Sequence, residues 1–211
     1  MDGHVLYSFR RCPYAMRARL ALASAGLRVE LREIVVRVKA EAFLKASPKG
    51  TVPVLVSGAG IVEESLEIMD WALGQSDPEG WLEMPSEGLA LIEEFDGRFK
   101  QALDRYKYAT RYADADTLAE RGKASEHLAR LEPMLAQTGW LFGSNASLAD
   151  FAILPFVRQF ANTDREWFNA QPWIHVRSWL ERFEQSARFA QIMEKYPRWE
   201  PEHPPAYFPQ G

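Results

Sequence analysis

The feature that most constrains this chain is its single cysteine, Cys12, which lies where a short apolar run gives way to a helical pattern. Residues 5–9 are typical of a buried strand. Pro13 then fits the first turn of a helix, where its missing N–H removes no hydrogen bond. Apolar residues recur at helical spacing up to Gly26, the expected C-terminal cap. The pattern therefore places Cys12 at a helix N-terminus.

A cysteine at a helix start is well placed to be reactive. Unpaired backbone N–H groups and the positive end of the helix dipole favour an anion there, and Arg10 and Arg11 add formal positive charge nearby. These features lower the pKa of a thiol and raise its thiolate fraction. The alternative is a small buried cysteine that only fills space. The adjacent proline and arginines favour the reactive interpretation.

The first 75 residues predict an α/β sandwich. After the first helix, residues 28–34 alternate between apolar and charged side chains, which predicts a strand parallel to the first one, joined by a right-handed crossover. A short helix, a β-hairpin around Gly58–Gly60 and a third helix complete the pattern. Their predicted bounds are 40–46 for the second helix, 51–56 and 61–62 for the hairpin strands, and 63–74 for the third helix.

The rest of the chain predicts helices only. Residues 76–86 are rich in Pro, Gly, Ser and acidic residues and are predicted to be a linker, so that residues 87–211 form a helical domain. The predicted helices are 87–113, 117–137 with a kink or break at Pro133, the apolar run 151–160 after a capping box at Ser147 and Asp150, 164–169, 173–185 and 187–196. The tail from Pro197 contains five prolines; we expect it to pack on the body without regular secondary structure.

Composition excludes several classes of protein. One cysteine allows no intramolecular disulfide and suits a reducing compartment; we find neither a secretory signal nor an apolar run long enough for a membrane span, so we expect a cytoplasmic protein. Residues 1–75 carry ten Lys and Arg against eight Asp and Glu, and the remainder carries 15 against 21. An acidic second half argues against nucleic-acid binding, and a mildly basic first half suits a small acidic ligand.

The chain has four histidines: His4, His127, His175 and His203. Their spacing is not that of a metal site, so we expect no bound metal.

Three short motifs follow one another in a recognisable order. Cys12-Pro-Tyr-Ala15 stands at the strand–helix junction, Val52-Pro53 opens a strand, and Glu64-Ser65 opens a helix. With a helical domain containing Ser147-x-x-Asp150 after them, the chain resembles the cytosolic glutathione transferase superfamily, most closely its bacterial, cysteine-type, omega-like branch. The resemblance covers nearly the whole chain. It implies an α/β thioredoxin-like N-terminal domain, an all-α C-terminal domain and a homodimer.

The resemblance also implies the roles of particular residues. Cys12 matches the active-site cysteine. The residues that match glutathione contacts are Lys39 for the glycine end, Val52 for the cysteinyl backbone, Pro53 as the cis-proline behind it, and Glu64 and Ser65 for the γ-glutamyl group. Each has an alternative interpretation: Pro53 as a trans edge-strand proline, Glu64 and Ser65 as ordinary helix-start residues, and Lys39 as a solvated charge. Other branches use a Tyr or Ser hydroxyl near the first strand; with Cys12 present, we expect Tyr7 and Ser8 to be core or supporting residues.

A second substrate, small and hydrophobic or a disulfide, is expected in the cleft between the domains. Its candidate lining residues are aromatic: Phe9, Tyr14, Tyr106, Tyr108 and Tyr112. The alternative is that aromatic residues at helical spacing belong to the core, which is their commoner use.

Three functions remain open at this point. Ala15 occupies the place of a second thiol, so only a one-cysteine cycle is available, in which the Cys12 thiolate forms a mixed disulfide that a second glutathione releases. The leading hypothesis is therefore an omega-like glutathione transferase with thiol-transferase or deglutathionylating activity. The second is glutathione conjugation or isomerisation with Cys12 not covalent. The third is a non-catalytic binding module, which a glutathione-affinity resin would not retain.

Overall fold

The structure is a computed structural model that describes residues 3–35 and 40–210. The predicted glycine-end contact, Lys39, lies outside the described residues. The chain forms two compact units, one made of Met1–Gly80 with Ser186–Gly211 and the other of Trp81–Gln185. The structure thus groups the last residues of the chain with the first unit, whereas the sequence-based boundaries assign residues 87–211 to the helical domain.

The first unit contains a five-stranded sheet. Its strands are β1 (Val5–Ser8), β2 (Val29–Glu33), β3 (Val54–Ser57), β4 (Gly60–Val62) and β5 (Tyr207–Phe208), in the spatial order β4-β3-β1-β2-β5. Strands β1 and β2 are parallel, and β3 and β4 form an antiparallel hairpin, which confirms both predicted pairings. The expectation that the tail would lack regular secondary structure was wrong, because β5 pairs antiparallel with β2 at the sheet edge.

The helices of the first unit are α1 (Pro13–Ser24), α2 (Glu41–Ala46), α3 (Ser65–Gln75) and α10 (Ala187–Ile192). Helix α1 is buried on almost every side, and Gly26 ends the turn after it with φ 69°, a backbone conformation that favours glycine. Helix α10 ends four residues earlier than predicted. Side chains from α1 and the Cys12 loop bind its last carbonyls: Arg19 donates to the carbonyl oxygen of Ile192, and Arg10 donates to that of Met193.

The second unit is helical, which confirms the predicted fold class of an α/β domain followed by a helical one. Its helices are α4 (Ser86–Glu94), α5 (Lys100–Lys107), α6 (Thr117–Thr138), α7 (Leu148–Ala161), α8 (Arg165–Asn169) and α9 (Ile174–Glu184). The single long helix predicted over 87–113 was wrong. A π-helical turn, Phe95–Phe99, separates α4 from α5 at Gly97, a residue of low helix propensity, and a 3₁₀ turn follows from Ala109.

Helix α6 runs through Pro133 without ending there. Asp116 caps its first turn by accepting hydrogen bonds from the N–H groups of Leu118 and Ala119, and Gly139 ends it with φ 82°. No helix that the structure describes combines the length and apolar character required to cross a bilayer.

The predicted capping box at the start of α7 is confirmed. Asp150 is fully buried and accepts hydrogen bonds from the N–H and hydroxyl groups of Ser147, the N–H of Leu141 and the indole N–H of Trp179. Burial raises the pKa of Asp150, and these four donors oppose the rise. One carboxyl group therefore connects the start of α7, the loop before it and α9.

A second carboxylate caps α9 from outside its own helix. Glu132, on α6, accepts hydrogen bonds from the N–H groups of His175 and Val176 and contacts the His175 ring at 2.8 Å. These N–H groups have no partner within α9. Burial opposes ionisation of Glu132, but the hydrogen bonds outweigh it and hold its pKa below its usual value.

We therefore expect Glu132→Gln to destabilise the fold at neutral pH by about 1 kcal/mol, the typical value of a hydrogen bond. Because the folded-state pKa lies below the unfolded value of about 4.3, the charge-dependent part is present above that pH and disappears as the pH falls through the folded pKa. Urea denaturation between pH 7 and pH 3 measures this difference, with Glu181→Gln, an exposed position on α9, as the control. If Glu132→Gln lowers the free energy of unfolding as much at pH 3 as at pH 7, the negative charge of Glu132 has no role in stability.

Candidate functional site

Cys12 lies where two loops meet. Its backbone is extended (φ −76°, ψ 123°), it occupies the N-cap position of α1, and its N–H donates to the carbonyl of Phe9 at 3.0 Å. The Sγ atom is 3.7 Å from the carbonyl oxygen of Val52, within reach of an S–H donor. The Val52–Pro53 peptide bond is cis, as the resemblance implies. The thiol at the start of α1 thus faces the backbone that leads into β3.

A cavity of about 460 Å³ opens beside the Cys12 thiol. Seven residues that the sequence nominated line it together: Phe9, Cys12, Tyr14, Val52, Pro53, Glu64 and Ser65. Six others line it that the sequence did not nominate: Ile34, Phe43, Lys49, Gly50, Thr51 and Glu63. The cavity therefore combines a thiol, backbone polar groups, both signs of charge and aromatic walls, the composition of a site for a small polar molecule.

The start of α3 provides one polar wall of this cavity. Ser65 is the first residue of the helix, is 5% exposed, and follows Glu64 at the N-cap position. Beneath it lies Arg17, which is fully buried, donates to the Ser65 hydroxyl at 3.4 Å and has its guanidinium 5.8 Å from the centre of the Tyr14 ring. A helix N-terminus, a hydroxyl and a buried guanidinium together favour a carboxylate at this wall.

Sequence reasoning missed Arg17, although a signal for it was present. Helix α1 has apolar residues on all its faces, with Ala15 and Met16 before Arg17 and Ala18 and Leu20 after it. A helix that is apolar all round is buried, so an arginine within it must also be buried and needs a polar partner. The Ser65 hydroxyl at the start of α3 is one such partner, and only the packing of the two helices reveals this contact.

The mouth of the cavity is charged and exposed. Lys49 and Glu64 face each other with 3.7 Å between Nζ and the carboxylate, and both side chains are more than 60% exposed. Glu63 accepts a hydrogen bond from the buried hydroxyl of Ser47 at 2.8 Å, which ties the hairpin to the turn after α2. Since the Lys49–Glu64 pair is loose and solvated, both charges remain available to a ligand.

A second buried arginine anchors the Cys12 loop. Arg19 is fully buried and donates to the Ser8 hydroxyl at 2.9 Å and to the Glu33 carboxylate at 2.5 Å. The other carboxylate oxygen of Glu33 accepts the backbone N–H of Arg10, two residues before Cys12, at 2.6 Å. Burial lowers the pKa of Arg19, and its ion pair with Glu33 opposes that effect. The loop that carries the thiol is therefore held by a charge buried in α1.

The hydroxyl residues of β1 serve this scaffold. Tyr7 is 3% exposed; its hydroxyl accepts a hydrogen bond from Arg32 at 2.7 Å and lies 3.5 Å from the carbonyl of Ala42. Ser8 is fully buried against Arg19. Both are core residues, as the sequence led us to expect.

The three nominated tyrosines of the second unit have separate surroundings. Tyr106 is buried and packs against Phe160, with 5.6 Å between ring centres. The Tyr108 hydroxyl accepts a hydrogen bond from the Gln159 amide at 3.3 Å, and Tyr112 lies beneath the Arg105 guanidinium. Their contribution to a second-substrate pocket stays a prediction.

A larger cavity, of about 600 Å³, lies within the second unit between α5 and α6. Its lining is mainly charged, and two of its cations, Arg105 and Lys123, both contact Glu120. It contains no thiol and none of the nominated residues, so we take the cavity beside Cys12 as the candidate site. Within residues 3–35 and 40–210, no three His, Cys, Asp or Glu side chains come together as a metal site.

An α/β unit of this topology, followed by a helical unit, with a thiol at the first helix and a cis-proline opposite it, defines a thioredoxin-like transferase fold. Two family models match the chain: "Glutathione S-transferase, N-terminal domain" over residues 6–80 and "Glutathione S-transferase, C-terminal domain" over residues 90–200. The chain belongs to the glutathione S-transferase family.

Several relatives of this chain are glutathione S-transferases of the omega class. The chain is 29% identical to glutathione S-transferase omega-1 of Sus scrofa over 72% of its own length and 64% of that protein's. It is 28% identical to omega-1 of Rattus norvegicus over 75% and 68%, and 26% identical to a probable cytosolic glutathione S-transferase DHAR1 of Oryza sativa over 68% and 64%. The chain therefore spans about two thirds of the length of these relatives.

Solved structures share the fold over about nine tenths of the chain. A glutathione S-transferase from Rhodospirillum rubrum superposes with a TM-score of 0.72 at 23% identity, covering 92% of this chain and 93% of that one. A family member from Pseudomonas fluorescens, solved with two glutathione bound, gives 0.76 at 19% identity, covering 91% and 92%. At these identities the likeness establishes the fold.

The Arg19–Glu33 contact predicts a large stability effect. In Glu33→Gln the buried guanidinium loses its ionic partner, and we expect a loss of about 3 kcal/mol or more in the free energy of unfolding. Glu41→Gln is the matched control, since its pair with Lys45 is more than 70% exposed on both sides and should change stability by less than about 0.5 kcal/mol. Urea denaturation measures both variants; equal stabilities would refute the anchoring role.

Proposed function

We propose that this protein is a glutathione transferase of the omega-like type, in which the Cys12 thiolate forms a mixed disulfide with glutathione. The observation that carries the proposal is the position of the Cys12 Sγ, 3.7 Å from the Val52 carbonyl, in the same cavity as Glu64 and Ser65. Omega-class relatives support the class. Glutathione is the substrate in this proposal, and no metal is required.

Each part of glutathione has a complementary group in the proposed site. The γ-glutamyl carboxylate would accept hydrogen bonds from Ser65 and the first N–H groups of α3, with the buried charge of Arg17 behind them. Its ammonium would pair with Glu64, which is exposed at the mouth. The Val52 backbone would bind the cysteinyl part and bring the sulfur of glutathione to Cys12. Lys39 stays our candidate for the glycine carboxylate.

The proposed chemistry needs one thiol in the protein. The Cys12 thiolate attacks the glutathione-side sulfur of an adduct R–S–S–G; a disulfide bond forms between Cys12 and glutathione as the S–S bond of the adduct breaks, and the thiolate RS⁻ leaves and takes a proton from solvent. A second glutathione thiolate then attacks the mixed disulfide, releasing oxidised glutathione and restoring the Cys12 thiolate. Phe9 and Tyr14, on the wall beside Cys12, would hold the apolar part of the second substrate.

We expect Cys12→Ala to abolish thiol transfer, because the sulfur is the covalent carrier. The glutathione pocket remains in this variant, so glutathione would place its own sulfur near the vacated position, where the start of α1 favours a thiolate. Conjugation to an aryl halide should therefore be retained or raised. Parallel assays with a mixed-disulfide substrate and an aryl halide, together with intact mass after exposure to oxidised glutathione, measure the two activities and the adduct.

Ser65→Ala is the matched comparison, since it keeps the thiol and removes a ligand contact. Thiol transfer should persist with a KM for glutathione raised about tenfold or more, the effect of losing a hydrogen bond to a charged group. If Cys12→Ala transfers thiols as fast as the wild type, Cys12 is not the nucleophile, and conjugation becomes the function. If neither the wild type nor either variant binds glutathione, the protein is a non-catalytic binding module.

We also propose a homodimer and a cytoplasmic location. Leu89, 59% exposed on α4, is an apolar side chain available to an interface, and a reduced catalytic thiol suits the cytoplasm. Light scattering at micromolar concentration should give a mass of twice 24.1 kDa; a mass of a single chain would contradict the dimer.

A further inference from the structure

We propose that Trp199, in the C-terminal segment, positions the wall of the glutathione cavity, so that docking of this segment sets the affinity for glutathione. The inference rests on the proposed function of the cavity. Trp199 lines no part of the cavity itself. Its role is therefore that of a positioning residue, which acts through the aromatic side chains between it and the ligand.

The C-terminal segment is fastened to the first unit beside the Cys12 loop. Trp199 donates its backbone N–H to the carbonyl of Glu33 at 2.9 Å, and the preceding residue forms a parallel bridge to Glu33. Glu33 is also the residue whose carboxylate holds Arg10 and Arg19. Further along, β5 pairs with β2 and buries Phe208 completely. The position of Trp199 is thus fixed on both sides of it.

One residue separates Trp199 from the cavity wall. The Trp199 ring meets Tyr7 edge-on, with 6.0 Å between ring centres, and Tyr7 packs against Phe43 at 5.3 Å. Phe43 is fully buried and lines the cavity, as do Ile34 and Val52. Tyr7, Phe43 and Ile34 belong to one hydrophobic cluster of buried side chains, and the partly buried Val52 and Trp199 pack against it. Val52 is also the residue whose carbonyl faces the Cys12 thiol.

Arg32 contacts both aromatic side chains, Trp199 and Tyr7. Its guanidinium lies 4.5 Å from the centre of a Trp199 ring, and it donates to the Tyr7 hydroxyl at 2.7 Å. A cation above an indole face is attracted to it, so the same side chain fixes Trp199 and Tyr7 relative to each other. While Trp199 is in place, these contacts restrict the Tyr7 ring to a single position against Phe43.

Removal of the indole would release that constraint. Protein interiors are close-packed, and neighbouring side chains relax toward a space left by a truncated one. Tyr7 is the neighbour on the cluster side, and its displacement would move Phe43 and the wall formed with Val52. A shift of this kind loosens the contacts of a bound glutathione without removing any group that touches it.

The test compares Trp199→Ala with Tyr207→Ala in the full-length protein. Tyr207 is a matched control, because it is also a tail aromatic beside an arginine, with its ring centre 4.4 Å from the Arg28 guanidinium. Unlike Trp199, it does not pack against the hydrophobic cluster that contains Tyr7 and Phe43. The measurement is protection of Cys12 from iodoacetamide by S-methylglutathione, which has no free thiol and so does not consume the reagent. It gives a half-protecting concentration without a second substrate. KM and kcat are measured in parallel with a mixed-disulfide substrate. Both experiments are done at a temperature at which melting curves show that every variant is folded.

We expect Trp199→Ala to raise the half-protecting concentration and KM about tenfold, equivalent to about 1.4 kcal/mol, and Tyr207→Ala to leave both unchanged. Trp199→Phe, which keeps an aromatic edge against Tyr7, should restore most of the affinity. A merely structural role would lower the melting temperature and leave KM as in the wild type. If Trp199→Ala does not fold, Trp199→Leu provides the test, because it keeps apolar volume without the ring. We expect it to raise the half-protecting concentration and KM about threefold.

The outcomes separate the two proposals. Equal half-protecting concentrations in the wild type, in the folded Trp199 variants and in Tyr207→Ala would overturn the positioning role while leaving the glutathione site intact. Absence of protection in the wild type at any S-methylglutathione concentration would overturn the proposed function and, with it, this inference.

Discussion

The structure of the first unit depends on charge buried inside α1. Arg17 and Arg19 are both fully buried, although each carries a positive charge whose transfer from water is costly without partners. Each contacts a different part of the unit: Arg17 donates to Ser65 at the start of α3, and Arg19 donates to Ser8, Glu33 and the end of α10. The two arginines therefore fix where β1, β2, α3 and the C-terminal segment must lie around the helix.

The candidate site follows from the same arrangement. The Cys12 loop is held by Glu33 through Arg10, and Ser65 is held by Arg17. The thiol and the carboxylate-binding wall that we propose thus share one support, the helix that begins directly after Cys12. A site assembled on a helix and a sheet in this way is preorganised, which reduces the ordering that binding would otherwise require.

Several local features could be read from the sequence because neighbouring residues decide them. Pro13 starts α1, Gly26 follows its C-cap residue with a positive φ, and the Ser147–Asp150 capping box starts α7 as predicted. Strand β1 followed from a short apolar run, β2 from period-two alternation, and the β3–β4 hairpin from its glycine-rich turn. Predictions over longer distances were less successful: the helix expected over 87–113 is interrupted at Phe95–Phe99, and the tail forms a strand. A two-residue strand has almost no local signal, since pairing with a distant edge creates it.

The sequence by itself determined the class of fold, the position of the thiol at a helix start, and the order of the motifs that meet in one cavity. Helix capping and hydrophobic periodicity depend on residues a few positions apart, so they can be recognised in the sequence without tertiary information. Only the tertiary structure decided that Arg17 stands behind Ser65, that Phe43 and Ile34 line the cavity, and that Trp199 packs against Tyr7. These contacts join residues distant in the chain, and packing around a buried helix selects them.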